Sequence, residues 1–350
     1  MNNLILALFK SGDKLKLSSV CHLLNGKRTA SVLTFGFFQD SLPFFGLFPN
    51  MTIEFLKKRC LQLGAQGLLD REDDRFIITA KGLATIDGEI LGLANKYDGV
   101  CYSRTAQPFF ELLLFATQVV SHASYQERHY IPIDSNNFHQ YQVKRWYAKH
   151  KVNPTFIADF YQEWERLVLA FPESERESLV AMLSGVTQVG QTFDQAFYQD
   201  VQQCSKVEKY LMKTALQHAF IKEVDSFSGD YPLFYSLYAI LLETAGNRSA
   251  AETYRLSKAG HSVEAIKIKR RLKESTIVDH IIEGLILDAQ PLYSLYLPED
   301  SRAYFERYLQ KNTDFKKWRF REVVTHNEQS FLSFRTYQIM KEKEGRSHED

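Results

Sequence analysis

Apolar residues recur at three- and four-residue spacing through most of the chain, a rhythm that predicts helices. In the first stretch the candidate helices are Asn3 to Phe9, Leu17 to Leu24, Ala30 to Phe35 and Thr52 to Leu63. Thr52 is suited to the N-cap of the last of these and Gly64 to its C-terminal end. Leu68 with Leu69, and Phe76 to Ile78, flank the charged run Asp70 to Arg75, which suits two short strands joined by a polar turn. Three helices followed by a hairpin is the order of a winged helix. From Glu89 to Ala245 strand alternation is lacking, and helical spacing is clearest over Phe156 to Phe171, Glu175 to Leu183 and Val207 to Phe220. Pro108, Pro132, Pro154, Pro172 and Pro232 fall near element boundaries, where a residue without an N–H is tolerated. The run Phe109 to Val120 is too short to span a bilayer and reads as a buried helix.

Ala245 to Ser249 forms a polar linker into the densest motif of the chain. Thr253 to Lys258 reads as a helix stopped by Gly260. Ser262 caps a second helix beginning at Val263, with Glu264 at its positive end. Arg271 to Lys273 makes a tight turn, and a third helix runs from about Ser275 through His280 towards Leu285. Short helices around a tight turn, the last beginning at hydroxyl residues, make a helix-turn-helix. Val263, Ile266, Leu272, Ile277 and Ile281 are its expected core. Further helical segments are expected at Ser301 to Leu309, Phe315 to Val324 and Glu328 to Met340. The fold class is therefore mainly α, with a winged-helix-like domain at 1–88, a helical middle domain at 89–245 and a helix-turn-helix domain at 250–340. A charged tail at 341–350 is expected to be disordered.

Charge changes the picture only locally. The 43 Lys and Arg nearly cancel the 42 Asp and Glu, so any hold on nucleic acid must come from a patch rather than a global field. Such a patch lies in the second helix and the turn after it. Between Arg255 and Lys273 stand seven cations, namely Arg255, Lys258, Lys267, Lys269, Arg270, Arg271 and Lys273, against the single acid Glu264. Lys267, Lys269, Arg270, Arg271 and Lys273 are the candidate phosphate contacts. Ser275, Thr276 and His280 are candidate contacts to base edges or sugars. Glu274, Asp279 and Glu283 on the third helix would repel phosphate, which favours backbone binding with little sequence specificity. The four cysteines, Cys21, Cys60, Cys101 and Cys204, are widely spaced, which speaks against a zinc module and suits a reducing cytoplasm. The N-terminus lacks the basic and small-residue features of a secretory signal.

The run containing Lys258-Ala259-Gly260, Arg271 to Ile277 and Asp279-His280 resembles the helicase helix-turn-helix domain found at the C-termini of some RecQ helicases and in a stand-alone YpbB-like family. The resemblance extends to Phe315 to Arg321 and to Ser330 to Arg335, which match a Lys/Trp-rich helix and a strand-like phenylalanine-and-arginine run in that domain. The N-terminus resembles the winged helix of the RecQ C-terminal region, through Leu23 to Gly26, Ser31 to Gly36, Phe44 to Gly46, Leu61 to Leu69 and Ile77 to Gly82. This likeness implies DNA binding, with Lys57, Lys58 and Arg59 near phosphates. At the wing, Glu72, Asp73 and Asp74 stand where a strand-separating aromatic would be expected. The His129 to Pro132 and Val143 to Trp146 segments also resemble the stand-alone family, which implies a RecQ-type helicase as partner.

Other chemistry is less well supported. Gly185 to Thr192 spaces its glycines like a phosphate loop, but Gln191 stands where the lysine belongs. His280 and Glu283 have the spacing of a metal pair but no second pair beside them. His129, His139 and His150 lie among cations and aromatics, including Tyr130, Tyr141, Trp146 and Tyr147, that could form a second basic surface or simply a core. Glu173, Glu175 and Glu177 suit a helix N-terminus. The expectation is a non-enzymatic cytoplasmic DNA-binding protein without cofactor, metal or membrane, acting with a RecQ-type helicase in repair or recombination. The alternatives are a helix-turn-helix transcriptional regulator and a purely protein-binding adaptor.

Overall fold

The hairpin expected between Leu68 and Ile78 forms, and it gains a third strand from upstream. The computed structural model describes residues 1–197, 205–244, 247–324 and 329–346. It opens with α1 (Asn2–Leu8), β1 (Leu15–Lys16), α2 (Leu17–Leu24), α3 (Ala30–Phe38), α4 (Ile53–Ala65), β2 (Leu69–Glu72) and β3 (Arg75–Ile78). The sheet is antiparallel in the order β1-β3-β2, with Leu15 opposite Phe76 and Leu69 opposite Ile78. Leu15, Leu69 and Phe76 are buried, so one sheet face joins the core beneath Leu56, Cys60 and Leu63 of α4. Thr52 caps α4 by accepting from the Phe55 N–H at 3.2 Å. Gly64, expected to end this helix, lies within it. The left-handed turn falls at Gly67, with φ at 71°, which leads directly into β2.

Contacts divide the chain into two compact units, one of residues 1–7 and 80–245, the other of 8–79 and 246–350. The first unit is helical. After short helices at Ala80–Thr85, Gly88–Ala94 and Gly99–Tyr102 come α5 (Ala106–Ser124), α6 (Asn137–His150), α7 (Phe156–Leu169), α8 (Glu173–Ala181), α9 (Lys206–Ser226) and α10 (Pro232–Thr244). The apolar run Phe109 to Val120 lies inside α5, with Phe109, Leu112, Leu113 and Ala116 fully buried. Phe160 and Trp164 of α7, Phe220 of α9 and Phe234 of α10 pack edge-to-face in the same core. Glu163 is buried beside them. Its carboxylate accepts from the Leu233 and Phe234 N–H groups at 2.8 and 2.9 Å, satisfying the open end of α10. Burial outweighs those bonds and pushes Glu163 up to about 7.

The second unit joins the winged-helix segment to the C-terminal helices, which patterning had assigned to separate domains. These are α11 (Asn247–Lys258), α12 (Val263–Arg270), α13 (Glu274–Leu287), α14 (Glu299–Leu309) and α15 (Phe331–Arg346). The expected linker is partly helix, because α11 begins at Asn247; Ala245 and Gly246 lie outside the described residues. Phe315 to Val324 is a 3-10 turn and a single helical turn rather than one helix. Its Trp318 is buried and lies parallel to Tyr337 of α15, with ring centres 5.9 Å apart. The run Ser330 to Arg335, strand-like in the domain it resembles, is helical from Phe331, in line with the helical spacing of Glu328 to Met340, and Phe334 and Tyr337 enter a core with Phe305 of α14. Helix α15 continues through Lys341 to Arg346, where disorder was expected. Lys316 pairs with Glu342, and Arg346 pairs with both Glu342 and Asp40. Among the described residues no helix is long and apolar enough to cross a membrane.

Candidate nucleic-acid interface

Helices α11, α12 and α13 form the helix-turn-helix around Leu256, Ile266, Ile277, Ile281 and Leu285, all buried. Ser262 caps α12 as expected, accepting from the Ala265 N–H at 3.2 Å. Gly260, with φ at 87°, turns the chain after α11, and Arg271, with φ at 53°, turns it after α12. Gly284 permits the closest approach within this motif. A Cβ there would stand 2.2 Å from the Tyr254 ring. Sequence reading missed this position, although a lone glycine inside an apolar helix was its signal.

Two of the proposed DNA contacts are internal struts. Arg270 reaches back to the Ser249 carbonyl and the Thr253 hydroxyl, and donates to the Ser249 hydroxyl at 3.0 Å. Thr253 is fully buried, and its Oγ1 also lies 3.0 Å from Nδ1 of His280. Arg270 and His280 thus converge on one buried hydroxyl and tie α12 and α13 to α11. Burial lowers the His280 pKa, favouring the uncharged ring, so this histidine offers no cation to a phosphate. Thr276 is half-buried beside it.

Of the three acids of α13, Glu274 is exposed in the first turn, where it would oppose phosphate as expected, but the other two are engaged elsewhere. Asp279 accepts from the Ala30 N–H at 3.1 Å and so caps the positive end of α3. Glu283 is buried and takes Arg28 in a two-point pair at 2.8 and 2.6 Å. These contacts fold the third helix of the motif against the winged-helix segment along one face. They also remove Glu283 from any metal pair with His280, and no group of three metal-ligating side chains occurs among the described residues.

The remaining cations gather at the turn. Arg255 pairs with Glu252, Lys258 with Asp288, and Lys267 with Glu264 along its own helix. Lys269, Arg271 and Lys273 are exposed and have no hydrogen-bonded or ion-paired side-chain partner among the described residues. Ser275 is exposed next to them. Lys273 occupies the N-cap of α13 with no side-chain cap. The positive end of α13 is thus framed by three cations suited to phosphate, with the exposed Glu274 carboxylate beside them.

The winged-helix segment offers a second basic surface. Lys57 and Lys58 lie on the outer face of α4, exposed and without an ion pair among the described residues. They border a shallow groove with Glu54, Leu61, Gln62 and Ala65. Arg59 is less available: it lies over the Phe55 ring at 5.3 Å and donates to Gln62. The wing ends in the turn Asp73-Asp74, and its acids are partly neutralised by Lys14 to Glu72 at 2.5 Å and Lys16 to Asp74 at 3.1 Å.

The glycine loop is closed on itself. The Gly185 N–H donates to the Gln188 carbonyl, that of Gly190 to Ser184 Oγ, and that of Gln191 to the Ala181 carbonyl. A Cβ on Gly190 would stand 2.2 Å from the Met182 carbonyl oxygen, so this glycine serves packing rather than a phosphate. Of the histidines, His139 pairs with Asp134 at 2.5 Å, His150 packs against Trp146 and Phe156, and His129 is exposed. Trp146 is core, donating to Ser236 Oγ at 2.7 Å, and Tyr130 stacks on His122. Cys204 lies outside the described residues; Cys21, Cys60 and Cys101 are free thiols.

Residues 249–331 match a family described as a helix-turn-helix domain. The chain is 24% identical to Protein YpbB of Bacillus subtilis (strain 168) over 279 residues, covering 76% of this chain and 76% of that protein. No solved structure matches.

Proposed function

We propose that this chain is a non-catalytic, cytoplasmic DNA-binding accessory protein that works beside a RecQ-type helicase in repair or recombination. The reading is carried by five exposed cations without ion pairs among the described residues, Lys57 and Lys58 on α4 and Lys269, Arg271 and Lys273 at the α12–α13 turn. Both groups belong to one compact unit. They suit phosphates rather than base edges, because Arg270 and His280 are engaged inside the motif and Asp279 and Glu283 are engaged with the winged-helix segment. Binding is therefore expected to depend on salt and little on sequence, which also sets aside an operator-reading regulator. The helicase partnership rests on the resemblance of 250–340 and of the N-terminal segment to RecQ C-terminal modules. The test is duplex affinity of Lys269→Glu/Arg271→Glu/Lys273→Glu and of Lys57→Glu/Lys58→Glu, each expected to fall by about tenfold or more at low salt. Unchanged affinity in both would refute the assignment. Co-precipitation of a purified RecQ-type helicase with and without nuclease treatment tests the partner separately.

One observation favours a protein-binding use of the winged segment. Ile53, Phe55 and Leu61 stand 40%, 39% and 42% exposed on α4, beside Lys57 and Lys58. If this face docks a protein, Lys57→Glu/Lys58→Glu loses the helicase and keeps the duplex.

A further inference from the structure

Helix α6 of the first unit has a face that the DNA-binding reading does not use. Between Asp134 and Asp159 the sequence contains no acid, yet it carries Lys144, Arg145, Lys149 and Lys151. All four cations are exposed, and none forms an ion pair among the described residues. In the helix-turn-helix, Arg255 and Lys267 each find a carboxylate one turn away on their own helix; here there is none to find. The buried side of α6 is His139, Val143 and Trp146, which seat the helix on the core. The opposite side presents Phe138 and Tyr141, 40% and 58% exposed. Phe138, Tyr141, Arg145 and Lys149 follow at spacings of three, four and four, so they share a stripe of alternating rings and cations. The Arg145 guanidinium lies over the Tyr141 ring, 5.6 Å from its centre.

We infer that this stripe is a contact for single-stranded nucleic acid. Cations at this density, without local acids, are matched to a polyanion. Exposed rings between them are matched to unpaired bases, whose faces in a duplex are already covered by their neighbours. The rings are what distinguish this partner from an acidic protein or an anionic lipid surface, to which charge alone would be sufficient. The inference is independent of the duplex contacts on the second unit, since it concerns different residues and a different form of nucleic acid.

The experiment uses the full chain and a labelled oligothymidylate, followed by fluorescence anisotropy, with a duplex of mixed sequence in parallel. Tyr141→Ala is expected to weaken oligothymidylate binding about tenfold, the contribution usual for one stacked base, while Tyr141→Phe keeps it. Lys144→Gln/Arg145→Gln/Lys149→Gln is expected to reduce the slope of log affinity against log salt by about 2, from about 0.7 per phosphate contact on a single strand. Duplex binding is expected to be unchanged in all three, and the exposed positions should leave thermal unfolding unaltered. If Tyr141→Ala binds oligothymidylate as tightly as the parent, the surface is not a stacking platform and the inference fails. It also fails if the triple variant loses anionic vesicles or polyglutamate while retaining oligothymidylate. The Lys269, Arg271 and Lys273 reversal separates the two sites, since it should lose the duplex and keep the oligonucleotide.

Discussion

Arg270 and Lys269 are neighbours in sequence with opposite roles, and the difference follows from one buried isoleucine. Arg270 lies four residues after Ile266, on the face of α12 that turns inward, and meets Ser249 and Thr253. Lys269 is exposed. Arg270→Gln should therefore cost about 1 to 3 kcal/mol of stability, from hydrogen bonds lost at a buried hydroxyl. Lys269→Gln should change stability by less than about 0.5 kcal/mol and act on DNA affinity instead. Urea denaturation and anisotropy on the same two variants check the pair; the opposite pattern would reverse the roles. The helical spacing from Ile266 was already visible in the sequence and could have separated the two residues. The hydroxyl that receives Arg270 was not, because Thr253 reads equally well as an exposed position near a helix end.

At the level of elements, helix limits were the most legible feature. The apolar rhythm placed α2 at its observed bounds and located the wing, because one-face burial leaves its period in the sequence, but β2 runs through Asp70 to Glu72, which read as turn. What rhythm could not reveal is pairing across long separations. The i, i+4 acids Asp279 and Glu283 were visible, but their partners Ala30 and Arg28 lie some 250 residues earlier, and nothing local marks them. Breaking this pair should be expensive. Glu283→Ala leaves the Arg28 guanidinium half-enclosed without its carboxylate and should cost about 3 kcal/mol, whereas Arg28→Met/Glu283→Leu should recover much of that loss. Equal destabilisation of the single and double variants in chemical denaturation would contradict the buried pairing.

Glu163 brings the element scale a pH dependence. In the unfolded chain it releases its proton near the ordinary 4.5, and in the folded chain only near 7. Between those values the folded state holds more protons, so its contribution is complete below about 4.5 and is lost as pH rises through about 7. His218 works the other way. Its buried ring, pushed down to about 4, stabilises at higher pH and loses that contribution as pH falls. The two oppose each other in the same unit, so the parent protein alone would hide both. Relative to the parent, Glu163→Gln should gain up to about 1.4 kcal/mol per pH unit across this window. Denaturation midpoints at several pH values check it, and a pH-independent difference would contradict the buried, protonated carboxyl.

For the whole molecule, a formal charge of +1 gave no hint of a polyanion partner, and the local charge count overstated it. Seven cations against one acid became three at the α12–α13 turn once ion pairs and the internal strut were subtracted. Two of those pairs, Arg255 with Glu252 and Lys267 with Glu264, are neighbours three apart and legible in the sequence, whereas the Lys258–Asp288 pair and the Arg270 strut form only in three dimensions. The union of the winged-helix segment with the C-terminal helices was invisible for the same reason. It brings Lys57 and Lys58 into one compact unit with Lys269, Arg271 and Lys273. The most direct test is the salt dependence of duplex binding by the parent protein and by a variant with all five cations changed to Gln. With all five neutralising phosphates, the slope of log affinity against log salt should be about −4 to −5 in the parent and approach zero in the variant. An equal slope in the two proteins would mean that the duplex is held elsewhere.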